Sequence, residues 1–367
     1  MTEHNTMQTF KTFGAAKLSS LCNALNLRTE TTLALQLLDI VIARWGDHTI
    51  GRVPLWNSDI TDDHTPFEFS LAFDGKQPEL RVLIEAQGNP TTLMSSWTAA
   101  LDVNERLNWE FGVSLERFTR VKDLFEPHDP QAKFSLWHSF CLKPGAVPKF
   151  KVYLNPQAHG SHLASSLVKE ALERLGFSRA WDFLSKVALC RREKDQLIYF
   201  SLDLDKSLMA RVKVYVAHKD ATANDVEEVL AGAPEYIEGS GSMFCREMAK
   251  GERLFDARPL ITCFAFTADN DAQPFSATLH LPIRCYADND YTVMQRICHF
   301  LTPEDKKLYK QAVMMFAGRP LETGVGLQTY ASFKRQGGRQ ITTVYLSPEA
   351  YDVMAPDTPT GKVLVQI

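Results

Sequence analysis

In five short β-rich strings, a residue able to hold charge or a hydrogen bond stands two positions before an aromatic or apolar one. The pairs are Arg81 and Leu83, Lys151 and Tyr153, Lys213 and Tyr215, Thr278 and His280, and Thr343 and Tyr345. A spacing of two puts both members of a pair on one face of an extended strand. Arg81, Lys151, Arg211 and Lys213 gathered on one surface repel each other unless an anion lies among them. Diphosphate suits them, because guanidinium and ammonium groups give charge-assisted hydrogen bonds to its oxygens. Arg284, two positions past Pro282, is a further candidate donor. Tyr153, Tyr215, Tyr330 and Tyr345, with Thr278 and His280, then supply rings and polar edges around that anion. Electron-rich rings beside a diphosphate imply a leaving group whose departure creates a carbocation.

A second layer is suggested by spacing. Glu68 lies 13 positions before Arg81, His138 lies 13 before Lys151, and Tyr330 lies 13 before Thr343. If the hairpins share one length, these three residues line the same surface beneath the cations.

The elements that must position these side chains follow from a repeat. Tyr153, Tyr215, His280 and Tyr345 recur every 62 to 65 residues, and the string Arg81–Ala86 extends the series backward to five units. Each string has an upstream partner of alternating or apolar character: 66–73, 134–142, 197–204, 259–266 and 327–333. Gly75-Lys76, Gly145 and Gly337-Gly338 mark turns, so each pair predicts a hairpin. Helical periodicity fills the intervals. It is clearest over 162–175, between Ser161 and Gly176, and again over 223–231 behind Asp220 or Thr222. Residues 290–316 predict two helices with a restart at Thr302-Pro-Glu-Asp.

The expected unit is therefore strand, strand, helix, helix. Five units give ten antiparallel strands that close into a barrel with helices outside, an α/β architecture without free edges. Helices over 15–25 and 32–45 precede the first hairpin and complete the outer ring. No linker or low-complexity stretch divides the chain, which predicts one domain over 1–367. Alternating Lys and Tyr on an isolated sheet would be a solvated face. Here the intervening Val152, Val212, Val214, Leu279 and Val344 are aliphatic and can pack on helices. The cations and phenols then point into a lumen.

Bulk properties exclude other classes. A net charge of −4 with both signs interspersed supplies no basic field for nucleic acid. The seven cysteines are scattered and form no C-x-x-C pair, as expected of free thiols in a reducing cytoplasm. The polar first ten residues carry no apolar signal core, and no apolar run reaches the ~20 residues of a membrane span. Asp62-Asp63 and Asp288-Asn-Asp290 lack the D-D-x-x-D spacing of carboxylates that hold magnesium on a diphosphate, and adjoin turns that aspartate favours. Glu238-Gly-Ser-Gly-Ser242 is not followed by the Gly-Lys-Ser/Thr of a phosphate loop.

At these residues the sequence resembles the dimethylallyltryptophan synthase-type aromatic prenyltransferases. The resemblance rests on Asp62-Asp-His-Thr-Pro-Phe-Glu-Phe-Ser70, Lys151-Val-Tyr153, Arg211-Val-Lys-Val-Tyr215, Thr329-Tyr-Ala-Ser-Phe-Lys334 and Thr343-Val-Tyr345, and spans roughly residues 58 to 350. It implies a ten-stranded ββαα barrel that moves an allylic group from its diphosphate to an indole without magnesium or other cofactor. By the same resemblance Glu68 accepts a hydrogen bond from the indole N–H. Arg81, Lys151, Arg211 and Lys213 hold the diphosphate, and Tyr153, Tyr215, Tyr330 and Tyr345 shield the allyl cation. Two positions depart from the family pattern: His138 falls where the spacing places the proposed base, a lysine in the fungal members, and Thr278 and His280 stand for Gln-x-Tyr. A neutral imidazole suits proton removal near pH 7, which makes His138 the expected base. The implied partners are an allylic diphosphate, dimethylallyl or geranyl, and tryptophan or a tryptophan-derived indole. A non-catalytic carrier of an anionic apolar ligand and a phenol-accepting prenyltransferase remain as alternative readings of the same lumen.

Overall fold

The computed structural model describes residues 8–351; the first seven residues, which hold most of the segment read as lacking a signal peptide, and residues 352–367 lie outside the described residues. Ten strands alternate in pairs with helices. The strands are β1 Phe67–Phe73, β2 Glu79–Glu85, β3 Leu136–Leu142, β4 Lys149–Leu154, β5 Asp195–Asp203, β6 Val212–His218, β7 Leu260–Phe266, β8 Ser276–Leu281, β9 Gln328–Gln336 and β10 Arg339–Leu346. Each pairs antiparallel with its sequence neighbours, and β1 pairs with β10, so the sheet is a closed barrel. The helices are α1 Phe10–Ala24, α2 Thr31–Val41, α3 Leu93–Phe111, α4 Glu116–Val121, α5 Ala164–Leu175, α6 Ser178–Phe183, α7 Ala223–Ala231, α8 Ser240–Ala249, α9 Asp290–Cys298 and α10 Pro303–Phe316.

Local chemistry sets the helix ends. Thr9, Thr92 and Thr222 each close a capping box at the start of α1, α3 and α7. Thr302 caps α10 with Pro303 in its first turn. Gly176 ends α5 at φ 83°, a left-handed conformation that only glycine adopts cheaply. The long helix α3 has no counterpart in the sequence reading. Its apolar stripe (Trp97, Ala100, Val103, Leu107) is broken by buried Ser96 and Asn104.

The core is a shell and not a centre. Outward residues of each strand, such as Phe67, Phe69 and Leu71 on β1 or Val212, Val214 and Val216 on β6, pack under the helices and are fully buried. Burying a residue of this kind contributes about 1.5–3 kcal/mol. The apolar requirement is met outside the barrel, which leaves the inward face free to be polar.

Hairpin register decides which residues share that inward face. Arg81 pairs with Ser70 and Leu83 with Glu68 across β1–β2, so residues 13 apart there point the same way. In β3–β4, Lys151 pairs with Ser139 and Tyr153 with Trp137. One residue of difference in loop length reverses the parity, and a reversal of parity moves a side chain to the other face of the sheet.

Candidate active site

The barrel interior opens toward the hairpin turns as a cavity of about 300 Å³. Its lining brings together Glu68, Arg81, Lys151, Tyr153, Arg211, Lys213, Tyr215, Thr278, His280, Thr343 and Tyr345, from six different strands or their margins. Tyr330 sits opposite Tyr345 in the β9–β10 ladder, at the deeper end.

The layer nearest the hairpin turns is cationic. Arg81 is paired with Glu79, and Arg211 donates from Nε to Asp203 at 2.7 Å. The lysines are differently placed. Among the described residues Lys151, Lys213 and Lys334 form no ion pair; Lys151 Nζ lies 3.1 Å from Cys141 Sγ, and Lys334 Nζ donates to Gln336 at 2.8 Å. Five cations thus face two carboxylates. Asp203 is held down to about 2, because Arg211, Lys151 and Lys213 outweigh the effect of burial. Lys334 is pushed down to about 7 by burial and by the charges of Arg81 and Arg211. Burial and the neighbouring Arg211 and Lys151 likewise hold Lys213 well below the usual ammonium range. Buried cations crowded together with few counter-charges fit a site shaped for a polyanion.

Lys334 was not among the residues singled out from the sequence. It stands opposite Thr278 across β8–β9, in the same face-sharing register as Tyr330 and Ser332. The period-two pattern on β9 contains that information. Glu79 and Asp203, the counter-charges, were also overlooked; each lies at a hairpin margin, two residues or one pairing step from a cation.

Below the cations runs a chain of aromatic rings. Tyr153 and Tyr215 have centroids 5.9 Å apart, Tyr215 and His280 5.9 Å, His280 and Tyr345 5.6 Å, and Tyr345 and Tyr330 6.4 Å. Tyr199 joins the chain at 5.6 Å from Tyr215. An irregularity between Leu197 and Tyr199 shifts the register of β5 there, which hid Tyr199 from an alternation argument. Phe134 and Trp137 stack at 3.9 Å beside it.

Glu68 and Glu85 lie toward the end of the lumen away from the hairpin turns. Glu68 is buried, and that burial, with the nearby charge of Asp62, pushes its carboxyl well above the usual range. Glu85 shares its strand face and accepts from Trp137 Nε1 at 3.4 Å and Gln87 Nε2 at 3.3 Å; burial pushes it up to about 7. Arg258 reaches this end as well, paired with Asp62, while burial pushes the adjacent Tyr330 phenol up to about 12 against the opposing charge of Arg258.

Two expectations are corrected. His138 is 2% exposed but lies on the outer face of β3, where Nε2 is 3.0 Å from Asn104 Oδ1 of α3 and its register partners are Ile84 and Val152. The reversed parity of the β3–β4 hairpin puts Trp137 and Ser139 in the lumen instead, so His138 cannot touch a substrate there. Arg284 is also away from the cationic layer. Pro282 ends the strand, a short 3-10 turn follows, and the guanidinium is buried against Asp62 at the acidic end.

Three of the aspartates discounted as metal ligands have structural tasks. Asp62 is engaged by Arg258 and Arg284. Asp63 accepts from Thr61 Oγ1 at 2.6 Å, Ser347 Oγ at 3.1 Å and Tyr351 N at 3.1 Å, which ties the segment after β10 to the entry of β1. Asp290 accepts from the backbone N–H groups of Leu327 and Gln328. No cluster of three or more histidine, cysteine or acidic side chains among the described residues is arranged to hold a metal.

A closed ββαα barrel whose lumen grades from cations through aromatic rings to a buried carboxyl defines an aromatic prenyltransferase. Residues 30–314 match the tryptophan dimethylallyltransferase family, and the chain belongs to it. Solved relatives agree over nearly the whole length. The 6-dimethylallyltryptophan synthase of Micromonospora olivasterospora, in complex with DMASPP and Trp, is 32% identical with a TM-score of 0.89; the match covers 95% of this chain and 100% of that one. The prenyltransferase PriB, in ternary complex with L-tryptophan and dimethylallyl thiolodiphosphate, is 31% identical at a TM-score of 0.86, over 95% and 99% of the two chains. The 5-dimethylallyltryptophan synthase of Streptomyces coelicolor is 29% identical at 0.85, over 95% and 100%. The chain is accordingly an enzyme that prenylates an indole acceptor.

Proposed function

We propose that this enzyme moves a dimethylallyl group from dimethylallyl diphosphate to the indole ring of tryptophan, without a metal, inside the barrel lumen. The observation that carries this reading is the axial order of the lumen: Arg81, Lys151, Arg211, Lys213 and Lys334 at one level, the tyrosines and His280 below, and Glu68 beneath them. The cations stabilise diphosphate as the C–O bond breaks, which takes the place of a metal's charge. Ring faces shield the allyl cation from water. Glu68, as carboxylate, accepts the indole N–H and holds the ring against the cation, so that collision becomes an intramolecular event. Arg258, Asp62 and Asp59 lie at the acidic end, a charge set that matches the ammonium and carboxylate of a free amino acid. This favours tryptophan over a phenol or an uncharged indole.

Residues 1–367 act as one catalytic unit in this reading, and the geranyl donor is the alternative that a wider lumen would admit. The placement in a cytoplasm rests on seven free cysteines; in addition, among the described residues, no helix is long and apolar enough to cross a membrane. The test is mass spectrometry of protein incubated with tryptophan and either dimethylallyl or geranyl diphosphate, with and without EDTA. Transfer of one dimethylallyl unit that survives EDTA is expected. Product only with added magnesium would remove the metal-free mechanism, and donor binding without any product would favour a carrier.

A further inference from the structure

With His138 on the outer face of the barrel, the lumen needs another acceptor for the ring proton. We infer that His280 is the base that removes it, through Nε2. The geometry isolates this side chain. His280 stands on β8 opposite Ser332 of β9, one pairing step below the level at which Thr278 faces Lys334. Its ring lies between Tyr215 and Tyr345, at 5.9 and 5.6 Å. It therefore occupies the boundary between the cationic layer and the level where the indole must lie. Its Nε2 is buried and has no hydrogen-bond partner among the described residues. A buried polar atom left unpaired is costly, and such atoms persist where a ligand or a reaction uses them.

The other titratable groups of the lumen are less suited. Glu68 is engaged by the indole N–H in the reading on which this inference rests. Glu85 is held by Trp137 and Gln87 at the far end. Lys151, Lys213 and Lys334 lie with Arg81 and Arg211 in the layer nearest the hairpin turns, above the level of the indole. His280 is held neutral in the free enzyme by burial and by Lys213, Arg81 and Lys334, which take it down to about 3. Diphosphate counters those same three charges, so its arrival lifts the part of the depression that they cause.

The step balances without another reactant. The allyl cation and an indole carbon form a C–C bond, giving a ring cation with one tetrahedral C–H. Nε2 takes that proton, with Nδ1 carrying the imidazole hydrogen, and the C–H electron pair restores the aromatic ring. The imidazolium then passes the proton to the departing diphosphate, which leaves protonated.

The test compares wild type, His280→Ala and His280→Gln in single turnovers with dimethylallyl diphosphate and ring-deuterated tryptophan. Affinity for dimethylallyl S-thiolodiphosphate is measured alongside. Both variants should bind the thiolodiphosphate normally and lose about 10²–10⁴-fold in the rate of product formation. They should also show a primary isotope effect on the ring deuterium that wild type lacks, with imidazole restoring part of the His280→Ala rate. Near wild-type turnover without an isotope effect would assign the proton to diphosphate oxygen and overturn the proposal. Loss of thiolodiphosphate binding in both variants would overturn it too, since His280 would then be a wall of the donor pocket. Product from wild type in the same experiment separates failure of this assignment from failure of the transferase reading itself.

Discussion

Glu68 and Arg81 share the inward face of the first hairpin but belong to successive levels: Arg81 sits opposite Ser70, and Glu68 opposite Leu83, one pairing step deeper. This offset separates anion binding from acceptor binding along the barrel axis. It also sets their pH behaviour apart. Burial and Asp62 raise the Glu68 carboxyl well above the ordinary range, so it protonates at a higher pH than an exposed glutamate and loses its ability to accept the indole N–H. The expected outcome is that kcat/KM for tryptophan falls as pH is lowered. This acid limb is absent in Glu68→Gln, as read from pH–rate profiles of both proteins.

Lys334 governs the opposite limb. Its ammonium titrates at about 7 in the free protein, so it is charged below that pH and neutral above it. Donor affinity should weaken as pH rises above 7, beyond what ionisation of the diphosphate itself produces. In Lys334→Met the dependence flattens and affinity drops by about 10–100-fold, the loss of a charge-assisted bond of about 1.5–3 kcal/mol. Titration with dimethylallyl S-thiolodiphosphate across the pH range checks both.

His138 should matter for folding and not for chemistry. Replacing it with alanine leaves Asn104 of α3 unpaired in a buried site, at a cost of about 1–3 kcal/mol. Turnover per folded molecule should stay near wild type. Urea unfolding and steady-state kinetics on one preparation separate the two effects; a large loss of kcat in a stable variant would return His138 to the mechanism.

Arg284 makes a comparable case. Removing a buried partner of Asp62 costs about 3–5 kcal/mol where no second cation compensates, and less here because Arg258 remains. Arg284→Met should lower the unfolding midpoint while leaving thiolodiphosphate affinity unchanged. A weakened donor affinity would place Arg284 in the diphosphate site after all.

Most of the barrel was legible because two periodicities are plain in the chain: alternation along each strand and a repeat of 62 to 65 residues. Those patterns also brought Arg81, Lys151, Lys213, Tyr215, His280 and Tyr345 to one surface. What escaped did so for identifiable reasons. His138 was misplaced because loop length fixes hairpin parity, and one residue reverses the face without altering the apolar pattern. Tyr199 was hidden by the irregular pairing of β5, and Arg284 by the 3-10 turn that Pro282 introduces. Lys334 lay in a segment already noted for its resemblance to family motifs, and its register opposite Thr278 needed the fold. Helix α3 carries a stripe interrupted by Ser96 and Asn104, which only their buried environment explains.

The most direct measurement is a rapid-quench single turnover of wild type and Glu68→Gln with saturating tryptophan and dimethylallyl diphosphate in EDTA. The account predicts a prenylated tryptophan from wild type, a rate lower by about 10²–10³-fold in Glu68→Gln, and equal donor affinity in both. No product from wild type, or an equal rate from Glu68→Gln, would contradict it.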